Sequence, residues 1–487
     1  IKGGKDLLAD WIRDVMPAGA LTSLLADGVV EGVGSVLVFL PQILILFGFI
    51  AVLEDCGYMA RVAFLMDRLM ARAGLSGKSF IPMLSSMACA VPGIMATRVI
   101  EHRRDRLATI LVAPLMSCSA RLPVYVLLIG AFLTTGYPTW VPGLVLFAMY
   151  ALGIVVAPLV AFCLKRTLLR GETPVFVMEM PLYKWPSPGT VLRRMGDSGW
   201  AFVRRAGTII LASMIVIWAL LYFPSTNAGG TSYERMIAGL KEPVAEEREE
   251  LERLEKSIAK EKKELARLDR QARKSEADGG GLFTLFGLFG PSRAEREAAR
   301  DAHRAELRKR VEAVEEKMKP LREKVDPVDE KVHELEAEWK KRSVLGRVGQ
   351  AIEPVVRPLG WDWRVGVAAL ASFPAREVVV GTLGIVYQLG KVDSEEIRDA
   401  DDPSNTELGA AMRKAEWDDQ PGRKVFTVPV ALSLMVFFAL CCQCASTLAV
   451  IKRETNSWRW PLFTFAYMTI LAYLGALVVF QVGSLIA

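Results

Sequence analysis

Two cysteines stand where chemistry could be done. Cys89 and Cys118 lie halfway along two apolar segments, on either side of a charged connector, Arg98 to Arg106. Their settings share one punctuation: Ala88-Cys89-Ala90-Val91-Pro92-Gly93 in the first, Ser117-Cys118-Ser119-Ala120-Arg121-Leu122-Pro123 in the second. A proline within a helix removes one hydrogen bond and clashes with the carbonyl four residues back, which frees backbone oxygens. In a bilayer such freed backbone is tolerated only where it is buried in protein or lines a polar cavity. Paired broken helices are therefore a pointer to a transporter's substrate site. A polarizable thiol at each break makes a metal ion the expected cargo. Two antiparallel segments joined by one connector hold their breaks at similar depth, where Met87 and Met116 add sulfur. The other reading of each thiol is a small buried hydrophobe, and Cys163, Cys441 and Cys442 are read that way.

Charges in the apolar segments come next. Arg121 and Glu377, with Arg376 beside the latter, are expensive at mid-bilayer unless paired or facing a cavity. A lock between two halves of the protein and a gating role both remain open for them. Glu54 and Asp55 close the first apolar span. They are either a solvated helix end or a rim that admits cations to the path. The three histidines do not help: His303 and His333 fall in a charged insertion and His102 in the basic connector.

The elements that must position these residues are read from composition and period. The chain has 487 residues, 52% of them hydrophobic and 23% charged, with a mean hydropathy of +0.28. That is too apolar for an ordinary soluble protein, so the charge must be segregated, and the lipid bilayer is the expected partner. The net charge of +6 is small for this length. It fits basic cytoplasmic loops, and no nucleic-acid motif accompanies it. Seven scattered cysteines make no disulfide framework. Gly74-Leu75-Ser76-Gly77-Lys78-Ser79 imitates a phosphate loop, but Arg72 stands where the first glycine belongs and no strand precedes it. No nucleotide binding is expected.

These strings also resemble a known family. Glu54-Asp55-Cys56-Gly57-Tyr58-Met59-Ala60-Arg61, Cys89-Ala90-Val91-Pro92 and Met116 to Tyr125 are similar to the membrane domain of the ferrous iron transport protein B (FeoB) family. So are Ala375-Arg376-Glu377-Val378-Val379-Val380 and Ala445-Ser446-Thr447-Leu448-Ala449-Val450. The resemblance covers nearly everything outside residues 225 to 342, a region that is not part of the family pattern. It implies Fe²⁺ as the transported ion and the bacterial inner membrane as the location. It also adds Cys444 to Cys89 and Cys118, although Gln443 stands where the family often has proline. Expected partners are a GTPase domain or small Feo accessory proteins, with a homo-oligomer possible. The family's N-terminal GTP-binding domain is absent from this sequence, which starts at Ile1 without a signal-peptide pattern, so no enzyme activity is expected. A transporter of another solute such as a nucleoside, or a membrane scaffold, are the competing readings.

The fold expected is an all-α polytopic membrane protein with about eight transmembrane helices in two similar halves with broken helices. An antiparallel coiled-coil hairpin is inserted between the halves. The boundaries are 1–224, 225–342 and 343–487. Residues 5 to 27 read as an interfacial helix. Crossings are assigned to 33–53, 80–97, 107–133, 141–164, 206–222, 363–384, 428–451 and 461–486. Residues 391 to 423 read as a polar loop. The basic stretch from Lys165 to Arg205 marks the cytoplasmic side, which puts the insertion outside the cell. Lys452 and Arg453 then fall outside as well, against that rule, unless the segment at 363–389 turns back. The insertion carries a heptad seam through Val311, Met318, Val325, Val332 and Trp339. Pro320 and Pro327 should kink or end its second arm.

Overall fold

The computed structural model describes all residues except 1, 18, 73, 135–136, 139, 171–182, 228, 278–292, 374–375, 377, 387–406, 418, 443 and 487. The described residues fall into two compact units, 1–226 with 337–487, and 227–336.

The larger unit is helical. An amphipathic helix, α1 (Lys2–Val15), precedes α2 (Glu31–Asp55), a 25-residue apolar helix, and α3 (Tyr58–Arg72). Two short helices follow, α4 (Phe80–Ala88) and α5 (Ala90–Ala96). The next crossing is made of α6 (Arg103–Val112) and α7 (Leu122–Phe132). Uninterrupted α8 (Trp140–Thr167) leads to α9 (Pro188–Phe202) and α10 (Thr208–Tyr222).

Beyond the smaller unit lie α13 (Val344–Val356), α14 (Trp363–Ala371) and α15 (Val378–Val386). A second interrupted crossing, α16 (Val428–Leu440) with α17 (Ala445–Thr455), precedes α18 (Arg459–Ile486). The polar loop holds more order than its composition suggests, with a helix at Glu407–Lys414 and a two-stranded hairpin, Glu416–Trp417 with Gln420–Lys424.

Burial separates the helices into two kinds. In the apolar stretch of 140–167 and of 459–486 only 22% of residues are buried, and Phe147, Leu159, Leu474 and Val482 point outward. The interrupted segments 103–132 and 428–455 are 72% and 82% buried. A helix apolar on every side belongs in the interior, and α16 is buried at nearly every position from Pro429 to Leu440. The broken helices form the core, and the continuous ones form its exposed apolar coat.

The segment 80–97, expected as one crossing, is two short helices that fold back on each other. A Cβ on Gly93 would lie 2.7 Å from the carbonyl oxygen of Pro82, eleven residues earlier, so α5 folds back along α4. The two ends meet in an ion pair, Lys78 to Glu101 at 2.9 Å. In the second half α14 and α15 likewise pack against each other. The phosphate-loop imitation lies between α3 and α4, so a helix stands where a nucleotide fold needs a strand.

In the smaller unit, α11 (Ala245–Ala277) faces α12 (Arg293–Arg342), which begins within it and ends beyond it. Ion pairs join Glu247 to Lys324 (3.1 Å), Glu255 to Arg322 (2.8 Å), Lys262 to Glu315 (2.7 Å) and Glu264 to His303 (3.2 Å). Partners descend along one helix as they rise along the other, so the two run antiparallel. Val311, Met318, Val325 and Val332 are buried. Neither Pro320 nor Pro327 ends α12. Each removes a single hydrogen bond, and the buried seam on both sides of them holds the helix together. The apolar tip 282–289 lies outside the described residues.

Candidate functional site

At the first break Cys89 is extended (φ −153°, ψ 132°) between α4 and α5. Pro92 has no N–H to offer the carbonyl of Ala88, four residues earlier. That oxygen accepts a hydrogen bond from Ser119 Oγ at 3.3 Å instead. Ser119 follows Cys118, which is extended too (φ −91°, ψ 165°). The two breaks of the first half therefore adjoin, as their spacing suggested.

The second half repeats the joint. Cys441 and Cys444 are extended at the gap between α16 and α17. Ala445, the residue after Cys444, donates its N–H to the carbonyl of Phe373 at 3.0 Å, which brings the break after α14 alongside. Pro374, Glu377 and Gln443 lie outside the described residues, so the position of Glu377 is not among the findings.

Each pair of breaks holds one buried arginine. Arg121, 1% exposed, donates to the carbonyls of Pro114 (3.0 Å) and Leu115 (3.3 Å) and to Ser117 Oγ (3.2 Å). Arg376, 5% exposed, donates to the carbonyls of Phe438 (2.8 Å) and Cys441 (2.6 Å). The last carbonyls of a helix lack helical partners, and both guanidiniums are spent on them. These bonds stay within one half each; Glu377, the other member of the lock weighed above, lies outside the described residues. The two arginines are within electrostatic reach of each other. Arg376 is also within reach of the thiols of Cys118, Cys441, Cys442 and Cys444.

Cys441 and Cys442, which the sequence reading left as packing residues, are buried, each in an apolar cluster. Met87 and Met116 pack in one apolar cluster with Met83 and Leu115. Half-buried Cys89 packs against a different one, with Ile94, Ile110 and Ile451. Among the described residues no three of His, Cys, Asp and Glu converge as a metal site.

The acids at the end of α2 are engaged elsewhere. Asp55 pairs with Lys184 at 3.0 Å and accepts the N–H of Ser187 at 2.7 Å. These bonds hold its carboxyl below the usual range, the backbone bond first. Glu54 pairs with Arg194 at 3.0 Å. On the connector, Glu454 of α17 binds Arg98 (2.5 Å) and Arg106 (2.6 Å), with its own side chain 3% exposed. Buried Asp105 pairs with Lys165.

Comparison with known proteins bears on what this geometry serves. A family model described as Gate, nucleoside recognition, matches residues 36–132 and 321–458, which hold all four breaks. A second, ferrous iron transport protein B C terminus, matches 146–197. A fusion of Fe(2+) transport protein A with the Fe(2+) transporter FeoB from Porphyromonas gingivalis is 36% identical over the whole chain, which spans 47% of that protein. The Fe(2+) transporter FeoB of Leptospira interrogans is 36% identical over 98% of the chain and 53% of its own length. That of Helicobacter pylori is 32% identical over 99% and 60%.

The chain is an FeoB-family membrane domain.

It spans about half the length of the curated FeoB proteins it matches. The Gate match resumes at 321, inside the 225–342 region that the sequence placed outside the family pattern. No solved structure matches the chain.

Proposed function

We propose that this domain carries Fe²⁺ inward across the bacterial inner membrane, through the place where its four helix breaks meet. The observation that carries this reading is the adjoining of helix breaks in each half, Ser119 Oγ on the carbonyl of Ala88 beside Cys89 and Ala445 N–H on the carbonyl of Phe373 beside Cys444. Fe²⁺ accepts sulfur, hydroxyl and carbonyl ligands, and the breaks offer all three. An incomplete protein ligand set suits transport, since an ion must leave as readily as it arrives. The curated relatives named above are Fe(2+) transporters, which favours this cargo over a nucleoside and a transporter over an enzyme. A GTPase domain and a small Feo accessory protein are the partners we assign. The Porphyromonas protein carries such an accessory segment fused to it.

Purified chain in liposomes tests the cargo. Cys89→Ser/Cys118→Ser should lower Fe²⁺ uptake at least tenfold, with the melting temperature nearly unchanged. Uptake at the wild-type rate by the folded double variant would remove Cys89 and Cys118 from the path.

For the topology we infer six crossings and two hairpins that turn back. The Glu454 pairs with Arg98 and Arg106 put residues 452–455 on the same face as the connector. Asp55 and Glu54 bring the basic stretch 184–194 to the end of α2. With 80–97 and 363–386 turned back, every one of these basic segments falls on the cytoplasmic side, and the Lys452–Arg453 conflict disappears. The halves 1–224 and 343–487 then flank a coiled-coil insertion, 225–342, on the extracytoplasmic face. A cysteine at exposed Ser257, with Cys163 replaced, should react with an impermeant maleimide in intact cells. Labelling confined to lysed cells would reverse the orientation.

A further inference from the structure

Building on the transport reading, we propose that Arg376 is a tethered plug. Its guanidinium fills a carbonyl cation site at the end of α16, made by Phe438 and Cys441, and must withdraw before a metal ion passes.

The site is what a broken helix offers to any cation. The last turn of α16 presents unpartnered carbonyls at the negative end of a helix dipole. In transporters, unwound carbonyls and half-helix C-termini coordinate the transported cation. Here both oxygens already hold a cation, at 2.8 and 2.6 Å. Arg121 does the same for Pro114 and Leu115. Arg121 reaches back seven residues at most, whereas Arg376 reaches 62 and 65 residues along the chain. Two unrelated routes thus deliver a guanidinium to equivalent carbonyls.

A simple helix cap does not need these features. At the end of α7 this chain serves a carbonyl with a neutral hydroxyl, Thr134 Oγ1 donating to Gly130 at 2.6 Å. At the breaks it instead buries two guanidiniums, Arg121 and Arg376, each donating to backbone carbonyls. A divalent ion arriving at the thiols would add two more positive charges there, so ion and guanidinium compete for one place. Arg376 also stands between α14 and α15, in a segment that packs back on itself. A shift of that hairpin that lifts the plug from α16 must also break the bond from Ala445 N–H to the carbonyl of Phe373.

The experiment separates charge from hydrogen bonding. Arg376→Gln keeps amide donors for the carbonyls and loses the charge, and Arg376→Lys keeps a tethered cation. The 487-residue chain is placed in liposomes holding a dye quenched by Mn²⁺. We expect Arg376→Gln to admit Mn²⁺ at least tenfold faster than wild type, and millimolar methylguanidinium to suppress that leak. Arg376→Lys should stay tight. A folded Arg376→Gln that is as tight as wild type makes Arg376 a cap and overturns the plug. Should Arg376→Gln unfold on extraction, methylguanidinium must restore it, and a variant that no cation restores also overturns the plug. The readout is Mn²⁺, so a chain that carries no Fe²⁺ yet leaks Mn²⁺ after Arg376→Gln loses the proposed cargo and keeps the plug.

Discussion

In the first half the break at Cys89 is tied to the break at Cys118 by a side chain, Ser119 Oγ on the carbonyl of Ala88. In the second half the same tie is made by backbone, Ala445 N–H on the carbonyl of Phe373. The arginines differ in the opposite sense. Arg121 serves carbonyls of its own segment, whereas Arg376 leaves its hairpin to reach α16. The first hairpin is also pinned at its mouth by Lys78 and Glu101. What the difference teaches is where motion is cheap. The first half holds itself together locally and behaves as a frame. In the second half a moving hairpin must break the backbone tie at Phe373 and the bonds of one long side chain, Arg376.

Glu454 couples frame and mover, because it sits on α17 and binds the connector of the first half. Removing its charge is the larger test of the comparison. Glu454→Gln leaves two guanidiniums facing a neutral amide in a place 3% exposed on the glutamate side. Hydrogen bonds to charged groups contribute about 1.5–3 kcal/mol each. Arg98 is half-exposed and regains water, so most of the loss comes through Arg106, and about 2–3 kcal/mol of stability should disappear. Denaturant titration in detergent measures it. An unchanged midpoint would mean that this ion-pair cluster does not couple the halves.

The breaks at Cys89 and Cys118 were legible because proline and small residues mark them. The break at Cys441–Cys444 was not, since no proline lies between Pro429 and Pro461. It is held open by Arg376, 65 residues away in sequence, and local composition carries no trace of such a partner. The turning back of 80–97 was hidden for a similar reason. Eighteen mostly apolar residues satisfy the length rule for a span, and only the approach of Gly93 to Pro82 shows the reversal. In the insertion two helices run antiparallel, and Val311, Met318, Val325 and Val332 of the expected seam are buried. Glu54 and Asp55 were legible as a helix end but not as the anchor for residues 184–194, because pairing across 130 residues of chain leaves no local pattern.

The smaller test acts on the two ties themselves. Ser119→Ala deletes the only hydroxyl that position has to offer, and the carbonyl of Ala88, which Pro92 cannot serve, is left without it. An acceptor stranded in apolar surroundings costs about 1–3 kcal/mol. At 3.3 Å the bond is long, so the loss should fall near the bottom of that range, about 1 kcal/mol. Ala445→Ser, the reciprocal change, leaves its tie intact, because a backbone N–H makes that bond whatever the side chain is. It should shift stability by less than Ser119→Ala. If the frame account is right, Ser119→Ala also loosens the first hairpin, and Cys89 should react faster with a small methanethiosulfonate reagent while Cys444 keeps its rate. Equal acceleration at both cysteines would show that the halves open together, and the division into frame and mover would fall.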